Sequence, residues 1–371
     1  MKLNLKQFIK YLLSKFNLNI SKFATKPRYI EEGRNETKVS NQTLSEIFQF
    51  FRKINPFYDD ELRVELQIAG AWKNDFKNRR KNQLKAISNE DKNLYRELLD
   101  NLFRSELIYG LWEVRYFDKD TLGSIFSFEH ALLLEKIITS MYGKYEESWL
   151  VDGDFGKPWG LAINKNKIVN YCDITNYAYA MNCSHILRSQ SKDCPVFIDL
   201  GSGFGTIALK TARMLKSKSK IILIDLPLNL TTAYAYIKTN SDYDCNLISS
   251  LDDLDIIKNN SLDFTTFYFV PSNFIEQIPN LINEIDLLYN HGSFSEMDKI
   301  TIDFYLDVLT NRIKCNYVYE INANKPKLNN CGHIEIPSSE FGFPEHMKLI
   351  SKYPAVIDPE RYVCSLYKNS K

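Results

Sequence analysis

The sequence has few residues that could hold a metal ion, and none of them is grouped. It contains 5 histidines and 7 cysteines among 371 residues. No two cysteines form a C-x-x-C pair, and no histidine stands at a metal-ligand spacing from another histidine or a cysteine. The cysteine count is odd and lysines interrupt any signal-like apolar segment, so we expect reduced thiols in a cytoplasmic protein. The sequence therefore predicts no structural metal.

An excess of either charge is also missing. The sequence has 47 Lys and Arg against 46 Asp and Glu, a net charge of +1, and no long basic run. Phe76 to Lys85 is strongly basic, and we interpret it as the solvated face of a helix. The nearly equal numbers of positive and negative side chains give no reason to expect a nucleic-acid partner.

No apolar stretch is long enough to span a bilayer. Leu5 to Ile20 places leucine, isoleucine and phenylalanine on one helical face and lysines on the other. This amphipathic helix is too short and too charged to be transmembrane. It predicts either a weak contact with a membrane surface or docking on its own domain or on a second subunit, as in a homodimer.

The composition is that of a globular protein, with 44% hydrophobic and 25% charged residues. The pattern is helical from Thr43 to about Leu107, after a polar stretch, Thr25 to Asn41, that we interpret as a loop. Asp152 to Leu161 is a glycine-rich loop, either part of an acceptor pocket or a plain connector. We predict an α-helical N-terminal cap region over residues 1–148 and an α/β domain over residues 149–371.

The chain is organised around a strand, a glycine turn and a second strand. Val196 to Leu200 is a short apolar run typical of a buried parallel strand. Lys220 to Ile224 is a second such strand, and it delivers Asp225 at its carboxyl end. Between them, a helix points its N-terminus at glycines that let the backbone approach a ligand closely, Gly201, Gly203 and Gly205. This is the nucleotide-binding half of a doubly wound sheet, whose ligand lies outside the carboxyl ends of the strands.

The glycine spacing separates two classes of cofactor. The dinucleotide fingerprint is G-x-G-x-x-G, but here the third glycine comes one residue early. An acid, Asp199, stands two residues before the first glycine, and Asp225-Leu226 ends the next strand. Together these features resemble motif I of the class I S-adenosylmethionine (SAM) methyltransferases.

That resemblance implies SAM as the cofactor and a doubly wound sheet of seven strands, the last of them antiparallel. It places Asp199 near the methionine amino group and Asp225 at the ribose hydroxyls. The other residues that it implies for cofactor binding lie in the glycine loop or beside Asp225: Gly201, Ser202, Gly203, Gly205 and Leu226.

A second motif follows the strand expected over Ile285 to Tyr289. It reads Asn-His-Gly-Ser-Phe-Ser-Glu-Met from Asn290 to Met297. With Asp-Leu-Pro after the second strand, it resembles the family of sugar O-methyltransferases. The resemblance implies methylation of a hydroxyl on a surface glycan or its nucleotide-sugar precursor, a step of polysaccharide biosynthesis. Asn290 would then bind the cofactor amine or the acceptor.

The chemistry requires a base, because a neutral sugar hydroxyl is a poor nucleophile. His291 is the best-placed candidate, since histidine titrates near working pH. Glu296 is the other, although Ser293-x-x-Glu296 before an apolar helix is also the pattern of a capping box. A metal held by Asn290, Glu320 and Asn322 is a less favoured alternative, because no pair of aspartates accompanies them.

Three other functions fit parts of the pattern. The chain could methylate another small acceptor, such as a phenol or an antibiotic scaffold. It could be a non-catalytic subunit with the same fold, although the intact acids and glycines argue against that. A dinucleotide oxidoreductase is disfavoured by the glycine spacing.

Overall fold

A computed structural model describes most of the chain. The described residues are 30–32, 37–54, 66–68, 70–72, 79–108, 155–157, 159–164, 167–169, 171–258, 263–329, 332–356 and 359–371. The helix predicted for Leu5 to Ile20 lies outside them. Within this part of the chain, no helix is long and apolar enough to cross a membrane.

Between Asn41 and Ile108 the described residues are mostly helical, as the periodicity from Thr43 to about Leu107 predicted. The helices are α1 (Asn41–Lys53), α2 (Lys81–Ser88) and α3 (Lys92–Asp100), followed by 3₁₀ turns at Leu102–Arg104 and Glu106–Ile108. Ser40 caps α1 because its hydroxyl accepts a hydrogen bond from the Thr43 amide at 3.0 Å. Asp91 caps α3 in the same way.

A small antiparallel sheet joins the N-terminal region to the middle of the chain. It contains β1 (Ile30–Glu32), β2 (Trp159–Asn164) and β3 (Lys167–Val169), in that order. The loops predicted over Thr25 to Asn41 and over Asp152 to Leu161 were therefore wrong in part, because the first contains β1 and the second contains the start of β2. Gly160 lies inside β2, and a glycine weakens the signal of a strand.

The main sheet has eight strands. In chain order they are β4 (Val196–Leu200), β5 (Lys220–Asp225), β6 (Asp244–Leu247), β7 (Thr266–Pro271), β8 (Glu284–His291), β9 (Lys314–Ala323), β12 (Met347–Pro354) and β13 (Tyr362–Asn369). Across the sheet the order is β12-β13-β9-β8-β4-β5-β7-β6. The last strand, β13, is antiparallel to both of its neighbours, as predicted. A separate short hairpin pairs β10 (Lys327–Leu328) with β11 (Ile334–Glu335).

The prediction of seven strands was wrong, because β6 adds an eighth strand at one edge of the sheet. Its sequence, Asp-Cys-Asn-Leu, has little apolar character, and its residues are exposed or half-buried at the sheet edge. It pairs on one side only, in parallel with β7. A large, mostly parallel sheet is nonetheless consistent with the expected class I methyltransferase fold.

Helical elements cover both faces of the main sheet. One face packs on α4 (Tyr171–Ser189), α5 (Thr206–Leu215) and α6 (Pro227–Asn240). The other packs on α7 (Ser293–Glu296), α8 (Lys299–Leu306), 3₁₀ turns at Asp252–Lys258 and Ser272–Asn280, and a π turn at Asp307–Asn311. A last 3₁₀ turn spans Ser338–Glu340. Alternate residues of β5 point into the two cores, as expected of a strand buried on both sides.

The N-terminal helices share the first of these cores. Phe48 and Tyr95 lie in the same buried cluster as Tyr234 of α6. The Tyr234 hydroxyl also donates a hydrogen bond to Glu46 of α1. The N-terminal region therefore packs directly behind the strands that carry the glycine loop, while the division at residue 148 stays a prediction.

Candidate functional site

The glycine turn adopts a backbone that side chains disfavour. Gly201, Gly203 and Gly205 have φ of 71°, 59° and 78°, in the left-handed region. A Cβ on Gly201 would lie 2.0 Å from the Ser293 hydroxyl oxygen. Gly201 is therefore needed both for its conformation and for the close approach of the turn after β8.

Asp225 fastens the glycine turn to the end of β5. Its Oδ2 accepts a hydrogen bond from the Gly203 amide at 2.7 Å. Its Oδ1 accepts from the Leu226 amide at 2.6 Å and from the Asn229 side chain at 2.9 Å. Burial raises the pKa of Asp225 to about 6, although these hydrogen bonds and the charge of Arg80 act to lower it. Leu226 takes part through its backbone amide, which donates a hydrogen bond to Asp225.

Asp199 is a buried carboxyl without a hydrogen bond to any described residue. Only 2% of it is exposed. It pairs in register with Leu223 of β5 and Tyr289 of β8, one residue before the end of β4. Burial, and then the charge of Asp225, raise the pKa of Asp199 well above its usual range. Such a group is stabilised in its ionised form only by a cation or by donors that enter the site.

Ser202 adds a second polar group in the same place. Its hydroxyl oxygen is buried and has no hydrogen-bond partner among the described residues. The turn thus presents an acid and a hydroxyl, Asp199 and Ser202, that the described part of the chain leaves unsatisfied, and buried polar groups are normally satisfied.

Asn290 lies in the site but is fully engaged by its neighbours. Its Nδ2 donates to the Leu200 carbonyl at 2.8 Å and to the Ser293 hydroxyl at 2.5 Å. Its Oδ1 accepts from the Phe294 amide at 3.2 Å and from Asn322 at 3.0 Å. An amide side chain has two donors and one doubly accepting oxygen, so these four bonds use its capacity. Asn290 therefore joins β4, β8 and β9, and its predicted contact with the cofactor amine or the acceptor stays a prediction.

Glu296 is not part of a capping box. The residue preceding α7 is Gly292, which has no side chain, and Ser293 is the first residue of the helix and not its cap. Instead, Glu296 accepts a hydrogen bond from the Trp72 indole at 3.0 Å, which brings an N-terminal residue to the site. Burial raises the pKa of Glu296 to about 7, and the nearby Glu335 acts in the same direction. A carboxyl with this pKa can accept a proton near neutral pH.

His291 ends β8 and is half-buried between aromatic rings. Its ring centre lies 5.1 Å from that of Tyr179 and 6.4 Å from that of Tyr289. Burial lowers the pKa of His291 to about 4. The imidazole is therefore neutral at pH 7, but it is a weaker base than Glu296.

The residues considered as metal ligands already form hydrogen bonds with other residues of the chain. Glu320 accepts hydrogen bonds from Ser338 at 2.5 Å and from Asn322 at 2.8 Å. Asn322 in turn accepts from the Ser295 amide at 3.2 Å. In the described ranges, no group of three or more His, Cys, Asp and Glu side chains has the arrangement of a metal site.

Two contacts of the candidate site could not be predicted from the sequence, because one partner in each lies in the N-terminal region. Arg80 belongs to the basic stretch interpreted as a solvated face, yet only 1% of it is exposed, so that interpretation was wrong for Arg80. Its guanidinium donates a hydrogen bond to Asn229, which in turn donates one to Asp225. Trp72 contacts Glu296 across 224 positions of sequence. No local pattern distinguishes these two residues from their neighbours.

No protein-family model matches the sequence, and a search of curated proteins found no match. Similar solved structures include 1,6-didemethyltoxoflavin-N1-methyltransferase from Burkholderia thailandensis, with 11% identity, a TM-score of 0.34 and coverage of 53% of this chain and 80% of that one. Magnesium protoporphyrin IX methyltransferase from Synechocystis PCC 6803 has 8% identity, a TM-score of 0.36 and coverage of 54% and 82%. Geranyl diphosphate C-methyltransferase from Streptomyces coelicolor A3(2) has 9% identity, a TM-score of 0.31 and coverage of 51% and 76%. TM-scores this low do not transfer a substrate or cofactor to this chain.

Proposed function

We propose that the chain is a SAM-dependent methyltransferase. One observation carries the proposal: the buried carboxyl of Asp199, unpaired among the described residues, lies beside a glycine turn that the carboxylate of Asp225 fastens. SAM carries an ammonium group, a sulfonium and a ribose diol. Asp199 would bind the ammonium group, and Asp225 would accept hydrogen bonds from the ribose hydroxyls.

The glycine turn supports this cofactor over a dinucleotide. Gly205 caps the N-terminus of α5, and a Cβ there would lie 2.8 Å from Ile237. Its place is therefore fixed by packing against α6. A pyrophosphate would require the G-x-G-x-x-G spacing, which the sequence does not have.

The proposed reaction is methyl transfer to a hydroxyl, with Glu296 as the general base. The acceptor oxygen forms a bond to the methyl carbon, the bond from that carbon to sulfur breaks, and the hydroxyl proton passes to the Glu296 carboxylate. S-adenosylhomocysteine leaves with a neutral sulfur. The pKa of Glu296, about 7, supports this role because a base works best when its pKa is near the working pH.

His291 is the second candidate for the base. Its position at the carboxyl end of β8, in contact with Tyr179, supports it. Its pKa of about 4 makes it the less effective proton acceptor. We therefore rank Glu296 first.

The sequence resemblance around Asn290 to Met297 supports a sugar hydroxyl as the acceptor, on a surface glycan or a nucleotide-sugar precursor. Another small acceptor remains the alternative. A non-catalytic partner subunit is disfavoured because Asp199, Asp225 and the glycines are all in place. Cytoplasmic location, a homodimer and a membrane-surface contact through the N-terminal helix stay predictions.

Methyl transfer from labelled SAM to a panel of nucleotide-sugars tests the proposed function. We expect label in at least one sugar with the wild-type protein, and at least about 10²-fold less with Glu296→Gln. Label transferred to phenols instead would identify the other acceptor class. A protein that binds S-adenosylhomocysteine but labels no acceptor would favour the partner subunit.

A further inference from the structure

The N-terminal region reaches the cofactor site through a buried cation. Arg80 stands immediately before α2, and only 1% of it is exposed. Its Nη1 donates a hydrogen bond to the Gln83 side chain at 3.1 Å, and its Nη2 donates to Asn229 Oδ1 at 3.1 Å. The second bond spans 149 positions of sequence, from the N-terminal region to the first turns of α6.

Asn229 continues this connection to the proposed ribose acid. While its Oδ1 accepts from Arg80, its Nδ2 donates to Asp225 Oδ1 at 2.9 Å. The other carboxylate oxygen of Asp225 accepts from the Gly203 amide at 2.7 Å. A continuous row of hydrogen bonds therefore joins Arg80, Asn229 and Asp225 to the glycine turn.

The surrounding contact between the N-terminal helices and α6 is also polar and buried. The Gln83 side chain donates to the Tyr95 hydroxyl at 3.1 Å and to the Leu228 carbonyl at 3.2 Å. The Tyr95 hydroxyl lies 2.8 Å from that of Thr231. Hydrogen-bonded networks of this kind fix one arrangement of the elements they join, because breaking any bond leaves a buried group unsatisfied.

The positive charge of Arg80 also acts on the Asp225 carboxyl. Burial lowers the pKa of Arg80 to about 10, so the guanidinium is protonated at neutral pH. Burial of a cation is costly unless something compensates for it. Its positive charge favours the ionised form of Asp225, against the burial that raises the pKa of that carboxyl.

We propose that Arg80 is a positioning residue for the cofactor, which holds the Asp225 carboxylate in place for the ribose hydroxyls through Asn229. The inference rests on the proposed function, because it takes Asp225 as the ribose acid. The N-terminal region would then be part of the cofactor site, and not only a cover over the sheet.

Titration of the full-length protein with S-adenosylhomocysteine tests the inference. We expect Arg80→Met and Asn229→Ala each to raise the Kd about tenfold or more, because each breaks the row of hydrogen bonds at a different point. Arg80→Lys keeps the charge and should recover part of the affinity. In an Asp225→Asn background, Arg80→Met should have little further effect, since the group on which it acts is gone.

Thr231→Val is the matched control. It removes a hydroxyl from the same buried contact but leaves Arg80, Asn229 and Asp225 intact, so we expect an unchanged Kd. If Arg80→Met does not fold, Asn229→Ala decides the question by the same tenfold increase in Kd.

The outcomes separate the two proposals. A wild-type protein that does not bind S-adenosylhomocysteine contradicts the proposed function, and the inference with it. Wild-type binding with an unchanged Kd in Asn229→Ala and both Arg80 variants overturns the inference alone. An equal loss in Thr231→Val, or an undiminished effect of Arg80→Met beside Asp225→Asn, also overturns it, because either would indicate a general weakening of the contact.

Discussion

Gly201→Ala should disrupt the glycine turn at a point where the surrounding atoms cannot move aside. The new Cβ would lie 2.0 Å from the Ser293 hydroxyl oxygen and 2.4 Å from the Ser293 Cβ. Ordinary contacts between carbon atoms are about 3.5–4.0 Å, so one side must shift by more than about 1 Å. Ser293 is held by hydrogen bonds to Asn290 and to the Leu200 carbonyl.

The expected loss of unfolding free energy in Gly201→Ala has two parts. A side chain in the left-handed conformation costs about 1–2 kcal/mol, and overpacking adds about 1–3 kcal/mol. Gly292→Ala is the matched control, because Gly292 has a φ of 77° and a Cβ there meets none of the described residues within 4 Å. We therefore expect the free energy of unfolding to fall by about 2–5 kcal/mol for Gly201→Ala and by about 1–3 kcal/mol for Gly292→Ala, whose ψ of −34° lies outside the left-handed helical well.

Denaturant unfolding of the two variants measures this difference. Adding Ser293→Gly to Gly201→Ala removes the clashing atoms, so the double variant should regain part of the lost stability and of the affinity for S-adenosylhomocysteine. Equal losses at Gly201 and Gly292, or no recovery in the double variant, would refute the proposed close approach of the two turns.

Four further substitutions test the site. Because the pKa of Glu296 is about 7 and its ionised form is the base, kcat/KM should rise as pH increases through 7. Glu296→Gln should abolish this rise in kcat/KM. Trp72→Phe removes a hydrogen bond that lowers the pKa of Glu296, so the rise in kcat/KM should move to higher pH. A rise at the same pH as in the wild type would contradict the contact between Trp72 and Glu296. His291→Ala should leave turnover within about tenfold of wild type if Glu296 is the base, and a loss of about 10²-fold or more would reverse that assignment. Asp225→Ala should severely weaken binding of S-adenosylhomocysteine while the fold, followed by circular dichroism, is retained.

The strands that carry the site could be predicted because they are buried on both sides. Val196–Leu200 has the predicted bounds, and Lys220–Asp225 differs from its prediction by one residue. Such strands are continuous apolar runs, which a sequence shows directly. Asp244–Leu247 lies at an edge and carries polar residues, so nothing in its sequence distinguished it from a loop.

The contacts across the site depend on residues far apart in the sequence. Ser293-x-x-Glu296 matched a capping box, but tertiary contacts outweighed this local pattern. Ser293 bonds to Asn290, and Glu296 bonds to Trp72. The basic stretch around Arg80 had the composition of an exposed face, and only the packing of α6 against the N-terminal helices explains why Arg80 is buried.

Proton release on cofactor binding is the most direct test of the central claim. Burial, and then the charge of Asp225, raise the pKa of Asp199, and an ammonium group bound beside it would favour the ionised form. Calorimetric titration with S-adenosylhomocysteine over a series of pH values, in buffers of different ionisation enthalpy, measures the protons released. We expect the wild-type protein to release protons on binding within this series and Asp199→Asn to release markedly fewer.

Ligand controls complete the measurement. 5′-Methylthioadenosine lacks the ammonium group and should bind without this proton release, and NADH should not bind. Tight binding of S-adenosylhomocysteine with the same proton release in wild type and Asp199→Asn would contradict the role of Asp199. Binding of NADH instead would contradict the SAM site itself.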